Sequence, residues 1–379
     1  MKLFRTDAGV TVHERDTKDI YESTLLYEKE KAAQLSGEEE EEVVADILQK
    51  LCVKPRVDLE SAELFMTLVF ELRHLSSDAL MSLWQRSSSK CQDDWQPLSD
   101  ALPSCTTEAC VVLMKELIVS GKVGEEKMES FFQLLSFIPE PTAGMIDALA
   151  PLLQLSRETQ SAFLGITALV NHFCSMRNNC DQEPAVRGVM KNLEQHLGEK
   201  CTLHKSEGIG QVELILKAIG NAGLAAAPLE PVLNSCARWK NNPIEIRLAA
   251  IEAYRRIPCT VSHDVLMHLY LTYDEDVEIR IASYLMLMKC PNKELFNQVK
   301  FTLQEERSSQ VGSFVWSHLS ELLETDDPLK QHLKSFLPDD ILSKEFDREM
   351  WKFSSYSDVT FHSGRFDSNG LCHGTSVKA

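Results

Sequence analysis

From about residue 36 to residue 350, apolar side chains recur three and four positions apart, in runs of 10 to 18 residues. Residues 58–75 show the pattern well. Leu64, Leu68, Leu72 and Leu75 form one stripe, with Phe65 and Val69 beside it. A stripe of that width is the buried face of an amphipathic helix. The same reading predicts a helix from Ser36-Gly37 through the acidic run 38–42, with Val43, Val44, Ile47, Leu48 and Leu51 inward, and a shorter one over 77–84. Further helices are predicted over 107–120, 124–137, 141–154, 156–173, 183–198, 207–220, 227–239, 243–256, 262–272, 277–289, 293–304, 308–323 and 327–335. Breaks such as Pro139-Glu140-Pro141, Gly220-Asn221-Ala222-Gly223 and Asp326-Asp327-Pro328 carry the residues that end helices.

Within this array the chain copies itself. Residues 241–258 (NNPIEIRLAAIEAYRRIP) match residues 274–291 (DEDVEIRIASYLMLMKCP) at an offset of 33, and a weaker copy begins at Gln310. A period of that size marks stacked helical pairs that share one core with their neighbours. In each copy a polar residue, Asn241 or Asp274, precedes the helix and is expected to cap it. An arginine six residues on, Arg247 or Arg280, is expected to reach the next repeat. This resembles the Asp and Arg pattern of HEAT-like repeats, and it is read as stacking rather than chemistry. The predicted fold is all-α: a two-layer right-handed α-α superhelix, a HEAT-like horseshoe, with a short strand at each terminus. Three regions are expected: a remnant of strand or helix over 1–35, the superhelix over 36–350, and a strand-like entry with a disordered tail over 351–379.

Charge narrows the partners. Against 39 basic residues stand 57 acidic ones, a net charge of −18. Nucleic acid and anionic membrane surfaces call for a basic footprint, so neither is expected as a partner. Neutral or zwitterionic lipid, held by apolar surface, stays open. No run of 18 apolar residues is present, so no helical membrane span is expected. The first 16 residues do not read as a signal peptide, which taken alone favours a cytoplasmic chain or a fragment of a longer precursor.

Eleven cysteines pull the other way. Cys105 and Cys110, and Cys174 and Cys180, lie close together in polar stretches, a pattern favouring local disulfides in an oxidising compartment over a metal site. Cys259 and Cys290 beside their prolines read as buried free thiols; Cys52, Cys91 and Cys372 remain unassigned. No catalytic, cofactor or metal constellation emerges. His172 beside Cys174 and the Gly208-Ile209-Gly210 turn are accidental, and Met286 and Met288 read as repeat core in preference to a lipid-facing surface.

The residues also carry a family likeness. IPEP at 138–141, AIGNAG at 218–223, ASYLMLMKCP at 282–291 and QVGSFVWSHLSELL at 310–323 occur in one order. Together they resemble the vitellogenin-type helical domain of the large lipid transfer proteins, most of all its apolipoprotein B branch. The likeness spans about residues 40–356. It implies a non-catalytic lipid transporter module, a horseshoe of paired helices around β-sheets that hold phospholipid and neutral lipid. It also implies secretion, needs no cofactor, and pairs Cys105 with Cys110, Cys174 with Cys180 and Cys201 with Cys236. The family begins with a signal peptide and a β-barrel and continues into lipid-bearing sheets, so this chain is expected to be part of a longer one. Its partners would then be those β-sheet domains or a lipid-transfer protein. The rival readings are a helical-repeat protein adaptor without lipid and a yolk-protein fragment.

Overall fold

The computed structural model describes residues 2–5, 11–14, 37–53, 58–87, 91, 95–155, 160–177, 179–201, 208–346, 358–361 and 375–378. The strand-or-helix reading of 18–35 and the aromatic segment 351–357 lie outside the described residues. The body of the chain is all-α and divides into two compact units, Met1–Met176 and Arg177–Ala379.

In the first unit the helices are α1 (Gly37–Val53), α2 (Leu59–Leu72), α3 (Ser77–Ser87), α4 (Pro97–Cys105), α5 (Glu108–Val119), α6 (Glu125–Leu134), α7 (Ala143–Leu149), α8 (Leu152–Leu155) and α9 (Gln160–Ser175). They stack in two rows, α1, α3, α5 and α7 against α2, α4, α6 and α9. The leucine stripe of α2 supplies the reason. Leu68, Val69 and Leu72 are buried, and Asp58 starts the helix by accepting from the Ser61 N–H at 2.6 Å. The sequence pattern predicts no element between 85 and 106, and α4 corrects that. Pro97 sits at its first turn, where a fixed φ helps and a missing N–H costs nothing. Thr106 then turns left-handed (φ 65°) and Thr107 caps α5, so the expected loop around Cys105 and Cys110 is a tight corner between two helices.

The second unit holds α10 (Pro184–Leu197), α11 (Ile209–Asn221), α12 (Glu230–Arg238), α13 (Ile244–Glu252), α14 (Asp264–Leu271), α15 (Val277–Leu287), α16 (Lys293–Glu305), α17 (Ser309–Glu324) and α18 (Pro328–Gln331). Here α11, α13, α15 and α17 lie side by side, each paired with the helix before it. Several expected helices are shorter because they tighten into 3-10 turns, at Gly223–Leu229 around Pro228, Ala253–Arg256 and His332–Phe336. Asn292 and Ser308 cap α16 and α17.

At the termini, β1 (Lys2–Arg5) pairs antiparallel with β2 (Thr11–Glu14), and β3 (Asp358–Phe361) with β4 (Thr375–Lys378). Strand β4 thus lies in the stretch expected to be disordered, and β3 supplies the ladder partner it needs.

Candidate functional site

The repeat arginines make the second unit a ladder. Arg247, in the first turn of α13, donates from Nε to the Ala237 carbonyl at the end of α12 (2.8 Å). Its other two nitrogens reach both oxygens of Glu275, just ahead of α15, at 3.0 and 2.8 Å. One repeat on, Arg280 does the same: Nε to the Tyr270 carbonyl of α14 at 3.0 Å, then both guanidinium ends to Glu306 at 3.0 and 2.5 Å. Each glutamate also serves the next helix start. Glu275 accepts from the Asp276 N–H, and Glu306 from the N–H groups of Arg307 and Ser308. The Arg247 hydrogen bond holds the Glu275 carboxyl below its ordinary pKa.

The expected caps need correcting. Asp276, not Asp274, caps α15, accepting from the Glu278 and Ile279 N–H groups at 2.8 and 3.4 Å. Asn241 is exposed, as is Asp274. Buried Asn242 is the working residue of the first copy, donating to the carbonyls of Lys200 (2.8 Å) and Cys236 (3.0 Å). In the second copy the cap lies two residues later than the sequence reading placed it, because α15 starts at Val277 and a cap must directly precede the first turn; in the first copy Pro243 precedes α13 and no side chain caps it.

The cysteines pin corners. Cys105 and Cys110 are joined (Cα–Cα 6.2 Å), as are Cys201 and Cys236 (5.2 Å) and Cys52 and Cys91 (4.9 Å). Cys174 and Cys180 are disulfide-bonded too, so the sulfur beside His172 is no thiolate. Cys259 and Cys290 are not free thiols: they bridge at a Cα–Cα distance of 5.5 Å. Each follows the last turn of its repeat helix, and the α13–α15 pair is thereby tied at one end by Arg247 and Glu275 and at the other by sulfur.

Beyond the ladder, α15 turns an apolar stripe outward. Ile281, Leu285 and Met288 are half-buried, whereas Met286 is core. The stripe runs into a cavity of about 740 Å³ between the ends of α15 and α17 and the α18 segment, walled by Leu285, Met288, Pro291, Phe296, Leu322 and Leu333. His318 lies on its wall, its Nδ1 paired at 2.8 Å with the hydroxyl of fully buried Tyr284. Burial holds this imidazole below its ordinary value. Gly208 is only the residue before α11. Among the described residues no three metal-ligating side chains gather, and no single helix is long and apolar enough to cross a membrane.

Tandem helix pairs with buried arginine–glutamate rungs and cysteine-pinned corners define a helical-repeat protein. The model of the vitellogenin TPR domain matches residues 38–320, and the chain belongs to that family. It is 27% identical to a vitellogenin of Penaeus merguiensis over 354 residues, which cover 90% of this chain and 14% of that protein. It is also 27% identical to apolipoprotein B-100 of Homo sapiens over 298 residues, 76% of this chain and 6% of that one. A solved structure of lipovitellin, described by its lipid–protein interactions, superposes with a TM-score of 0.66 at 20% identity, covering 88% of this chain and 35% of that chain. The chain therefore spans a small part of these relatives, and the likeness to lipovitellin establishes the fold.

Proposed function

We propose that the chain is the helical module of a secreted lipid carrier, enclosing phospholipid and neutral lipid together with β-sheet domains of a longer chain or of a transfer partner, without catalysis. The family match over residues 38–320 carries this reading. The names of relatives, an apolipoprotein and a lipovitellin described with its lipid, point the same way. Supporting it locally, α15 leaves Ile281, Leu285 and Met288 partly uncovered, the last two in the apolar part of a cavity wall. On this reading the helical region runs over about residues 36–350, and Arg247 and Arg280 hold its repeats in register. Five cysteine pairs at disulfide distance suit an oxidising compartment, where such bonds persist. Lipid extraction and mass spectrometry of the purified protein test the proposal. Bound phospholipid or neutral lipid is the expected result, and lipid-free protein that captures no lipid from neutral vesicles would leave a protein-binding scaffold in its place.

A further inference from the structure

The geometry points to a discrete ligand site in the α15–α18 cavity that takes a single-chain amphiphile with a zwitterionic phosphate–ammonium headgroup; this rests on the lipid-carrying reading above. The cavity's volume of about 740 Å³ falls within the range of roughly 300–1,000 Å³ usual for small-molecule pockets. At about 30 Å³ for each water-sized group it has room for roughly 25 of them. That suits one acyl chain and its headgroup and is too little for a two-tailed lipid or a neutral fat. Its apolar wall comes from three helices: Leu285 and Met288 on α15, Phe296 on α16 and Leu322 on α17. Phe296 and Leu322 are buried core, so the inner wall is fixed. Leu285 and Met288 are half-buried and face the opening.

The rim decides the headgroup. Lys289 and Lys330 line the cavity as exposed cations, and Glu321 and Glu324 as exposed anions. Two charges of each sign cancel. A fatty acid would use the lysines and leave two carboxylates repelling it, and a cationic amphiphile would meet the reverse. A phosphate beside a quaternary or primary ammonium uses both sets, with Thr325 as a further hydroxyl at the mouth. Rim charges give selectivity in such an arrangement, while the apolar wall supplies most of the affinity.

The test titrates the full chain calorimetrically with hexadecylphosphocholine below its micellar concentration. One saturable site per chain is expected. Met288→Trp and Leu285→Trp, each with an unchanged far-ultraviolet spectrum, should weaken it about tenfold or more, equivalent to about 1.4 kcal/mol. Phe301→Ser removes an exposed ring on α16 that does not line the cavity, and should leave binding unchanged. Palmitate should bind more weakly than the phosphocholine, and the pair Lys330→Gln with Glu321→Gln should narrow that difference. Equal binding of palmitate overturns the headgroup assignment. Binding that survives both tryptophans, or that Phe301→Ser lowers as much, overturns the site. A protein that yields lipid on extraction yet shows no saturable site loses this inference alone; one that yields none loses the carrier reading as well.

Discussion

Arg280 and Glu306 meet fork to fork in a place nearly sealed from water, their side chains 1% and 2% exposed and their closest atoms 2.5 Å apart. Taking two such charges out of water is expensive, and the pair is held by hydrogen bonds beyond the two between its partners. The arginine spends its Nε on Tyr270, and the glutamate accepts from two backbone N–H groups besides. Removing one member is therefore worse than removing the charge from both. Arg280→Met should lower the stability of the second unit by about 3–5 kcal/mol. Adding Glu306→Gln, which removes the orphaned charge and keeps an acceptor, should recover part of that loss. Urea midpoints of the single and double variants decide the matter. A double variant no more stable than the single one would mean that the charge is not what the site has to balance.

Arg247 and Glu275 repeat the geometry with side chains 7% and 6% exposed. Slightly more water at the rung means a smaller penalty for breaking it. Arg247→Met should shift the urea midpoint in the same direction as Arg280→Met and by less.

The helical class, the repeat period and both arginines are legible in the sequence, since a period-33 match needs only that the same side chain recur. Their carboxylate partners are not. Glu275 and Glu306 stand 31 residues apart, so no comparison at 33 aligns them. Glu275 instead aligns with Asn242, a neutral amide. Asn242 accordingly bonds two backbone carbonyls. The Cys259–Cys290 bridge is hidden for a different reason: 31 residues separate the two sulfurs, and only the stacking of α13 beside α15 brings their helix ends together. The cavity is equally invisible, because it is enclosed by the ends of helices whose patterns each report only their own buried face.

The bridge makes a measurable claim. In the chain-entropy account a cross-link over this separation restrains the unfolded chain by about 3–4 kcal/mol, against about 2 kcal/mol for the short Cys105–Cys110 loop. Cys259→Ser with Cys290→Ser should therefore lower the thermal midpoint more than Cys105→Ser with Cys110→Ser. Reduction of the denatured wild-type chain should add the mass of ten hydrogens, two for each of the five pairs. A smaller gain would count against the corresponding bridges.

Two groups in the second unit make acid destabilising, in separate windows. His318 is held below its ordinary value of 6.5 by burial beside Tyr284, with Glu321 opposing and Lys330 adding to the shift. The unfolded chain then takes up the proton first, so stability is full above that ordinary value and falls as pH drops toward the folded one. Glu275 is held below its ordinary 4.5 chiefly by the Arg247 hydrogen bond, and its contribution is lost as pH falls through its folded value. His318→Gln should flatten the upper part of the acid profile and leave the lower part. Unfolding midpoints measured stepwise from about pH 7 to about pH 2 would show both.

The ladder also has an end, and the third copy supplies it. Taken from the helix starts at Val277 and Ser309, the third copy has Val311 where Ile279 stands and Gly312 where Arg280 stands. With no side chain at Gly312, the ring of Phe346 lies against the helix backbone; a Cβ there would overlap the ring. Lys344, its Nζ 5.2 Å from the Phe346 ring centre, donates to the carbonyls of Gln304 and Glu306, and Lys300 bonds Asp340. Buried Ile341 anchors the same stretch. Residues 337–346 thus cover the surface on which a further helix pair would stack, as a terminal repeat must be covered. Gly312→Ile puts a branched side chain where the ring lies and should expel Phe346. The expected readout is faster proteolytic cleavage within 337–346, with the Arg280–Glu306 rung and the α15 core still protected from hydrogen exchange. Unchanged cleavage would show that Phe346 is not what holds the segment down.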